Sequence, residues 1–207
     1  MINLPAELID THKKFENIII NRLNDFQNID PKLIFYEFCF CIMTPQSNAK
    51  NAWQVQNKLI EKDFFNTKFN PVCILSDKNH YIRFHNTKAK RLVNAINYNT
   101  RLNEILKLNI TQYQKRKIIK TEFVGLGMKE TSHFLRNIGY KHLAIIDRHI
   151  LRMLVKCNVL NDVTPPKTEK QYLEIEQKII DFSNKINIDM DILDLLFFAH
   201  SNGDVIK

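Results

Sequence analysis

The sequence predicts an all-α fold. Leu, Ile and Phe recur at three- and four-residue spacing along most of the chain, and the six prolines stand where such stretches begin. Tyr81-Ile-Arg-Phe-His85 has strand-like residue types, but no second alternating run is available to pair with it, so it is read as a loop. Pro5 opens a helix over 5–27, Pro31 one over 31–43, and Pro45 precedes one over 46–62; a proline fits the first turn because the N–H it lacks has no partner there. Beyond the loop the spacing predicts helices over 87–107, 111–122, 129–138 and 147–156, the last capped by Asp147. After Pro165 and Pro166 follow 168–186 and 189–199.

With 207 residues the chain is long enough for one large domain or two small ones, and 44% hydrophobic with 25% charged residues is a globular composition that excludes wholesale disorder. Thirty Lys and Arg against 22 Asp and Glu give +8, which favours a polyanionic partner, nucleic acid first. The excess is local: from Arg83 to Lys120 ten basic residues face one acid, Glu104. From Asn161 onward nine acids outnumber five lysines, so the later part is an unfavourable phosphate-facing surface. A basic run of this kind fits a phosphate track or simply a solvated helix face.

The four cysteines, Cys39, Cys41, Cys73 and Cys157, form no C-x-x-C and no metal-ligand spacing. The histidines show no H-E-x-x-H, and the start of the chain lacks a basic signal-peptide pattern. A reduced cytoplasmic setting, no metal and no cofactor are expected. The apolar run Leu33–Met43 is broken by Glu37 and falls short of the ~20 residues that span a bilayer, so no membrane partner is expected.

Only four glycines occur, and two of them, Gly125 and Gly127, share one turn in Phe123-Val-Gly-Leu-Gly-Met-Lys-Glu. Glycine permits positive φ and close backbone approach, and the helix that follows offers free N–H groups to an anion. The turn is therefore a candidate phosphate cradle, with a plain helix–helix connection as the alternative.

The segment Val-Gly125-Leu-Gly127-Met-Lys129, followed eighteen residues after the lysine by Ile-Ile-Asp147-Arg-His, resembles the helix-hairpin-helix DNA glycosylases, whose hairpin reads L-P-G-V-G-x-K. Lys129 and Asp147 match that family's reactive pair. Val124 stands where the hairpin usually has proline, and the Gly139-to-Asp147 loop lacks the usual proline before the aspartate. Cys41-Ile-Met-Thr-Pro-Gln46-Ser-Asn48 resembles the family's gap-filling segment, and Phe84-His85-Asn-Thr-Lys88-Ala resembles its wedge loop and following helix. No cysteine follows Cys157, so the four-cysteine iron–sulfur loop of the endonuclease III and adenine glycosylase branches has no counterpart. A short, clusterless, helical chain ending in Asn202-Gly-Asp-Val-Ile-Lys207 is most similar to the archaeal-type, second family of 8-oxoguanine DNA glycosylases with lyase activity.

That resemblance implies a two-lobed helix-hairpin-helix fold with a DNA cleft between the lobes and no iron–sulfur cluster. The lobes are expected over 31–122, with the wedge and gap-filling loops, and over 1–30 plus 123–207, with the hairpin (123–138) and Asp147. The implied activity is removal of 8-oxoguanine from double-stranded DNA by a monomer, followed by strand nicking. Same-fold action on oxidised pyrimidines and a non-catalytic DNA-binding hairpin module are the alternatives.

A duplex hides the glycosidic carbon, so the nucleotide must be rotated out and the hole filled. Phe84, with His85, is the candidate wedge; Gln46 and Asn48 are candidate gap fillers, against core packing for Phe84 and an exposed helix start for Gln46. Lys129 is the candidate nucleophile, which attacks only as the neutral amine, against a phosphate-binding lysine. Asp147 is its electrostatic partner and at the same time a candidate helix cap. By resemblance the Lys207 carboxylate reaches the base pocket, so residues added after it are expected to damage activity. Phe198 and Asp194 are further pocket candidates, against core packing and a solvated face. Backbone contacts are assigned to Gly125, Gly127, Lys88, Lys90, Arg91, Lys115, Arg116, Lys117 and Lys120, and five such cations give a log–log salt slope of about −4 to −5. Related hairpins place a monovalent ion on backbone carbonyls, here those of Thr121, Phe123 and Leu126.

Overall fold

A computed structural model describes residues 4–207, whose regular elements are all helical. In chain order they are α1 (Ala6–Gln27), α2 (Ile34–Met43), α3 (Ala49–Glu61), α4 (Phe64–Thr67), α5 (Val72–Leu75), α6 (His85–Lys107), α7 (Gln112–Glu122), α8 (Met128–Asn137), α9 (Arg148–Lys156), α10 (Glu169–Ile186) and α11 (Met190–Asn202). The nine long helices match those expected, with ends displaced by no more than three residues. α4, α5 and the 3-10 turns Pro31–Leu33 and Lys78–His80 were not expected, because four residues are too few to show a helical period. No helix among the described residues is long and apolar enough to cross a membrane.

The chain divides into two compact units, Ile29–Ile138 and Met1–Asn28 with Gly139–Lys207. The first is built around α2, which is buried from Phe35 to Met43 and therefore apolar on every side, as a central helix must be. α3, α6 and α8 pack on it. Phe38 meets the rings of Phe123 and Phe134 edge-on at 5.4 and 5.2 Å, pinning α2 to both ends of the hairpin. Truncating a buried phenylalanine such as Phe134 costs about 3–5 kcal/mol.

Glu37, the one acid in the apolar run, is also buried there. Its Oε1 accepts from Gln56 Nε2 at 2.8 Å and its Oε2 from Asn137 Nδ2 at 2.9 Å, so a single carboxylate ties α3 and α8 through α2. Loss of either donor leaves a buried charge under-solvated, at about 1–3 kcal/mol. The expected boundary after residue 122 is displaced: the hairpin 123–138 belongs to this unit, because α8 packs on α2 and α7, with Phe134 against Phe38 and Ser132 bonded to Arg116.

The second unit packs α1, α9 and α10 against α11. Leu143–Ile146 run buried with no strand beside them, which would orphan their backbone polar groups. α10 supplies the partners. The Tyr172 hydroxyl donates to the Ala144 carbonyl at 2.6 Å and accepts from Ile146 N–H at 3.3 Å, and Glu176 Oε1 accepts from Ala144 N–H at 2.9 Å. Asp147, the next residue, is thereby delivered in a fixed place. Gly139 begins the segment at φ +91°, where a Cβ would lie 3.0 Å from the Gln27 Cα at the end of α1.

Candidate active site

The hairpin that carries Lys129 runs from α7 through the turn 123–127 into α8. Gly125 takes φ +102°, and a Cβ there would stand 2.7 Å from Arg91 Cδ, so this glycine admits both the turn and the arginine against it. Val124, beside it, is the most exposed large apolar side chain among the described residues, at 73%. Gly127 does not adopt positive φ; its N–H donates to Glu130 Oε2 at 3.1 Å. Of the two glycine N–H groups expected to hold phosphate, the one on Gly127 is thus already engaged. Thr121 lies in the last turn of α7, Phe123 caps it, and Leu126 is buried in the turn.

Lys129 is the second residue of α8. Its Nζ lies 3.1 Å from Glu130 Oε1. Neighbours in a helix do not normally face each other, and this pair meets because the bond to Gly127 pulls Glu130 back over the helix start. The lysine side chain is 29% exposed. Glu130 went unnoticed in the sequence, although a glutamate three residues after a helix-entry residue is placed to accept from that residue's N–H; glycine has no side chain to return the bond.

Asp147 caps α9 as expected: Oδ1 alone accepts from His149 N–H at 2.8 Å and Ile150 N–H at 2.9 Å. Its second oxygen takes no part in the cap. Asp194 and Phe198 lie one turn apart on α11, both half-buried, and Lys207 is half-buried after the buried pair Val205 and Ile206.

Two non-glycine residues with left-handed backbone occupy the loops read as wedge and gap filler: Phe84 at φ +61° and Gln46 at φ +55°. Such conformations cost about 1–3 kcal/mol each and persist where surrounding structure enforces them. Phe84 is 51% exposed at the start of α6, with the Arg83 guanidinium 5.1 Å from its ring centre, so it is not a core residue. Gln46 is exposed in the turn before α3. Asn48 caps α3: its Oδ1 accepts from Lys50 and Asn51 N–H at 2.8 and 3.3 Å. His85 is the first residue of α6, its ring 5.5 Å edge-on from Tyr81.

Three of the seven basic side chains assigned to phosphate turn inward. Lys88 is 2% exposed, its Nζ bound to the Met43 and Pro45 carbonyls at 2.6 Å each and to Ser47 Oγ at 2.9 Å. Burial pulls its amine down to about 8, with Arg91 and Lys129 adding to the effect and Glu130 opposing it. Buried Lys115 donates to the Leu106 carbonyl near the end of α6. Arg116, also buried, donates to Ser132 Oγ at 3.0 Å and lies over the Tyr113 ring. Their role is internal bonding, because aliphatic stems on the inner faces of α6 and α7 carry the charges to carbonyls and to the Ser47 and Ser132 hydroxyls. Lys90 and Lys117 are exposed, and Arg91 and Lys120 partly so.

These features sit on a chain whose residues 19–188 match the family model described as Ogg-HhH, 8-oxoguanine DNA glycosylase. The 8-oxoguanine DNA glycosylase/AP lyase of Fusobacterium nucleatum is 37% identical, over 97% of this chain and 96% of the relative. That of Sulfolobus acidocaldarius is 33% identical, over 95% and 97%. The solved structure of the Methanocaldococcus jannaschii 8-oxoguanine glycosylase/lyase with a 15mer DNA containing 8-oxoguanine superposes with a TM-score of 0.83 at 30% identity, covering 97% of this chain and 99% of that one. The chain belongs to the 8-oxoguanine DNA glycosylase family of helix-hairpin-helix proteins.

Proposed function

We propose that the protein is a bifunctional repair enzyme that acts as a monomer on double-stranded DNA, removing 8-oxoguanine and nicking the strand at the resulting site. The observation that carries this reading is Lys129, on the second position of a helix entered through a glycine turn and accompanied by a carboxylate. The Glu130 pair holds the resting ammonium, and the amine attacks once its proton has left.

Attack of the Lys129 nitrogen on C1′ breaks the glycosidic bond, and the electron pair of that bond leaves with the base, which takes up a proton. Opening of the sugar ring then gives an imine between Lys129 and C1′. Loss of a C2′ proton expels the 3′ phosphate and cuts the strand; hydrolysis of the imine returns the lysine. Asp147 stabilises the positive charge that develops on the sugar, and the cap holds its carboxylate in one orientation for that purpose. Phe84 enters the stack and Gln46 faces the orphaned partner base. Gly125, Lys90, Arg91, Lys117 and Lys120 contact the backbone, while Lys207, Phe198 and Asp194 form the base pocket.

Borohydride trapping on duplexes carrying 8-oxoguanine, thymine glycol or an abasic site tests this, with Lys129→Gln alongside. The expected result is an adduct formed best on 8-oxoguanine and absent in the variant. Preferential trapping on thymine glycol would move the activity to oxidised pyrimidines, and binding without any adduct would leave a DNA-binding module.

A further inference from the structure

The two strained loops are joined by one hydroxyl. Ser47 Oγ, next to Gln46, accepts from the N–H of Arg83, the residue before Phe84, at 3.0 Å, and from Lys88 Nζ at 2.9 Å. The other two Lys88 contacts, to the Met43 and Pro45 carbonyls, bracket the turn that leads to Gln46. An ammonium has three donors, and all three are spent on residues 43–47. Lys88 N–H in turn bonds the Phe84 carbonyl at 3.0 Å, and Asn51 Nδ2 holds the Tyr81 carbonyl at 3.2 Å. Phe84 is therefore bracketed on both sides by groups anchored to the loop that carries Gln46.

We propose that Ser47 and Lys88 are positioning residues: they clip the gap-filling turn to the wedge loop, so that Phe84 and Gln46 enter the duplex as one rigid pair with fixed separation. This rests on the reading of those two side chains as wedge and gap filler. An inserted wedge that yields under the pressure of restacking opens nothing, and a filler that moves independently of it leaves the hole to the extruded base. The clip removes both failures by preorganisation, because the left-handed backbone at each residue is fixed before DNA arrives. It also accounts for a buried lysine inside a basic run, where an outward lysine would have added a phosphate contact.

The test uses the full chain carrying Lys129→Gln, which stops before the covalent step, and a duplex with 2-aminopurine beside 8-oxoguanine, whose fluorescence rises as the stack opens. Adding Ser47→Ala is expected to cut that rise by about threefold or more, through loss of a hydrogen bond to a charged group. Affinity for undamaged duplex, set by phosphate contacts, is expected to change by less than about twofold. Ser47→Thr keeps the hydroxyl and is expected to restore the rise, and Lys88→Met to lower it as Ser47→Ala does. A full rise in both the alanine and methionine variants overturns the clip. Absence of any rise with Ser47 and Lys88 intact overturns instead the repair reading, and hydrogen exchange of the free protein then decides the clip. The Arg83 amide, bonded to Ser47 Oγ, is expected to exchange about tenfold faster or more in Ser47→Ala, and unchanged exchange refutes the proposal.

Discussion

Asp147 is the observed cap of α9 and the proposed electrostatic stabiliser of the reacting sugar, and one pair of substitutions separates the two roles. Its Oδ1 accepts both cap hydrogen bonds of α9, at 2.8 and 2.9 Å, and leaves Oδ2 out of the cap. Asparagine keeps an oxygen where Oδ1 stands, so Asp147→Asn retains the cap and forfeits only the charge at the helix start, about 0.3–1 kcal/mol. Asp147→Ala loses the cap as well, about 0.5–2 kcal/mol. In a chain of this length each kcal/mol moves the melting temperature by roughly 2–4 °C. The alanine variant is therefore expected to melt several degrees below wild type, with the asparagine variant between them. Excision is expected to rank differently. Removing one preorganised stabiliser of developing charge costs about 10²–10³ in rate, and both variants lose the same carboxylate. Single-turnover excision of 8-oxoguanine, alongside scanning calorimetry, reads the two rankings from one set of proteins. Turnover of Asp147→Asn within about threefold of wild type would refute the electrostatic role. Equal melting of the alanine variant and wild type would refute the cap.

With Lys88, Lys115 and Arg116 turned inward, four cations remain as proposed phosphate contacts, so the log–log salt slope of DNA binding is expected near −0.9 × 4, about −3.6. Lys90→Ala is expected to reduce that slope by about 0.9, while Arg116→Ala leaves it unchanged and lowers the melting temperature, both read by fluorescence titration and calorimetry. Gly125→Ala forces a Cβ at φ +102° to within 2.7 Å of Arg91 Cδ; a loss of about 1–3 kcal/mol in denaturant unfolding is expected, with weaker DNA binding as Arg91 is displaced. Lys88 has a folded-state pKa of about 8 against 10.5 unfolded. The unfolded chain therefore binds more protons between those values, and the group's contribution to stability rises with pH across that window. Lys88→Met is expected to remove the rise, seen as the difference between the two proteins' unfolding free energies from pH 7 to 10.

The helices were legible because each long one carries its own period and boundary chemistry, as with Pro5 before α1 or Asp147 before α9. Lys129 and Asp147 could be named as candidates because the glycine turn and the eighteen-residue spacing that follows the lysine match the family's pattern, and the Asp147 cap was legible from its place before a helical period. Glu37 was visible only as an interruption, since a carboxylate shared by Gln56 and Asn137 across α2, α3 and α8 leaves no local pattern. The boundary between the units was misplaced for the same reason: the packing of α8 on α2 joins residues about a hundred positions apart, as the bond from Asn137 to Glu37 does.

The basic run shows why a charge count overstates a binding surface. Along α6 and α7 the cations follow the helical period like any other side chain, and those on the inner side extend long stems into the unit. A buried ammonium or guanidinium persists only where acceptors meet it, and these find the Met43, Pro45 and Leu106 carbonyls and the hydroxyls of Ser47 and Ser132. The carbonyl acceptors lie in a loop or at helix ends, where carbonyls lack helical partners, whereas Ser132 offers its side-chain hydroxyl from within α8. In this chain Lys88 reaches the loop next to Gln46 and Lys115 the end of α6, so a stretch whose outward cations are the proposed phosphate contacts also anchors the turn that carries Gln46.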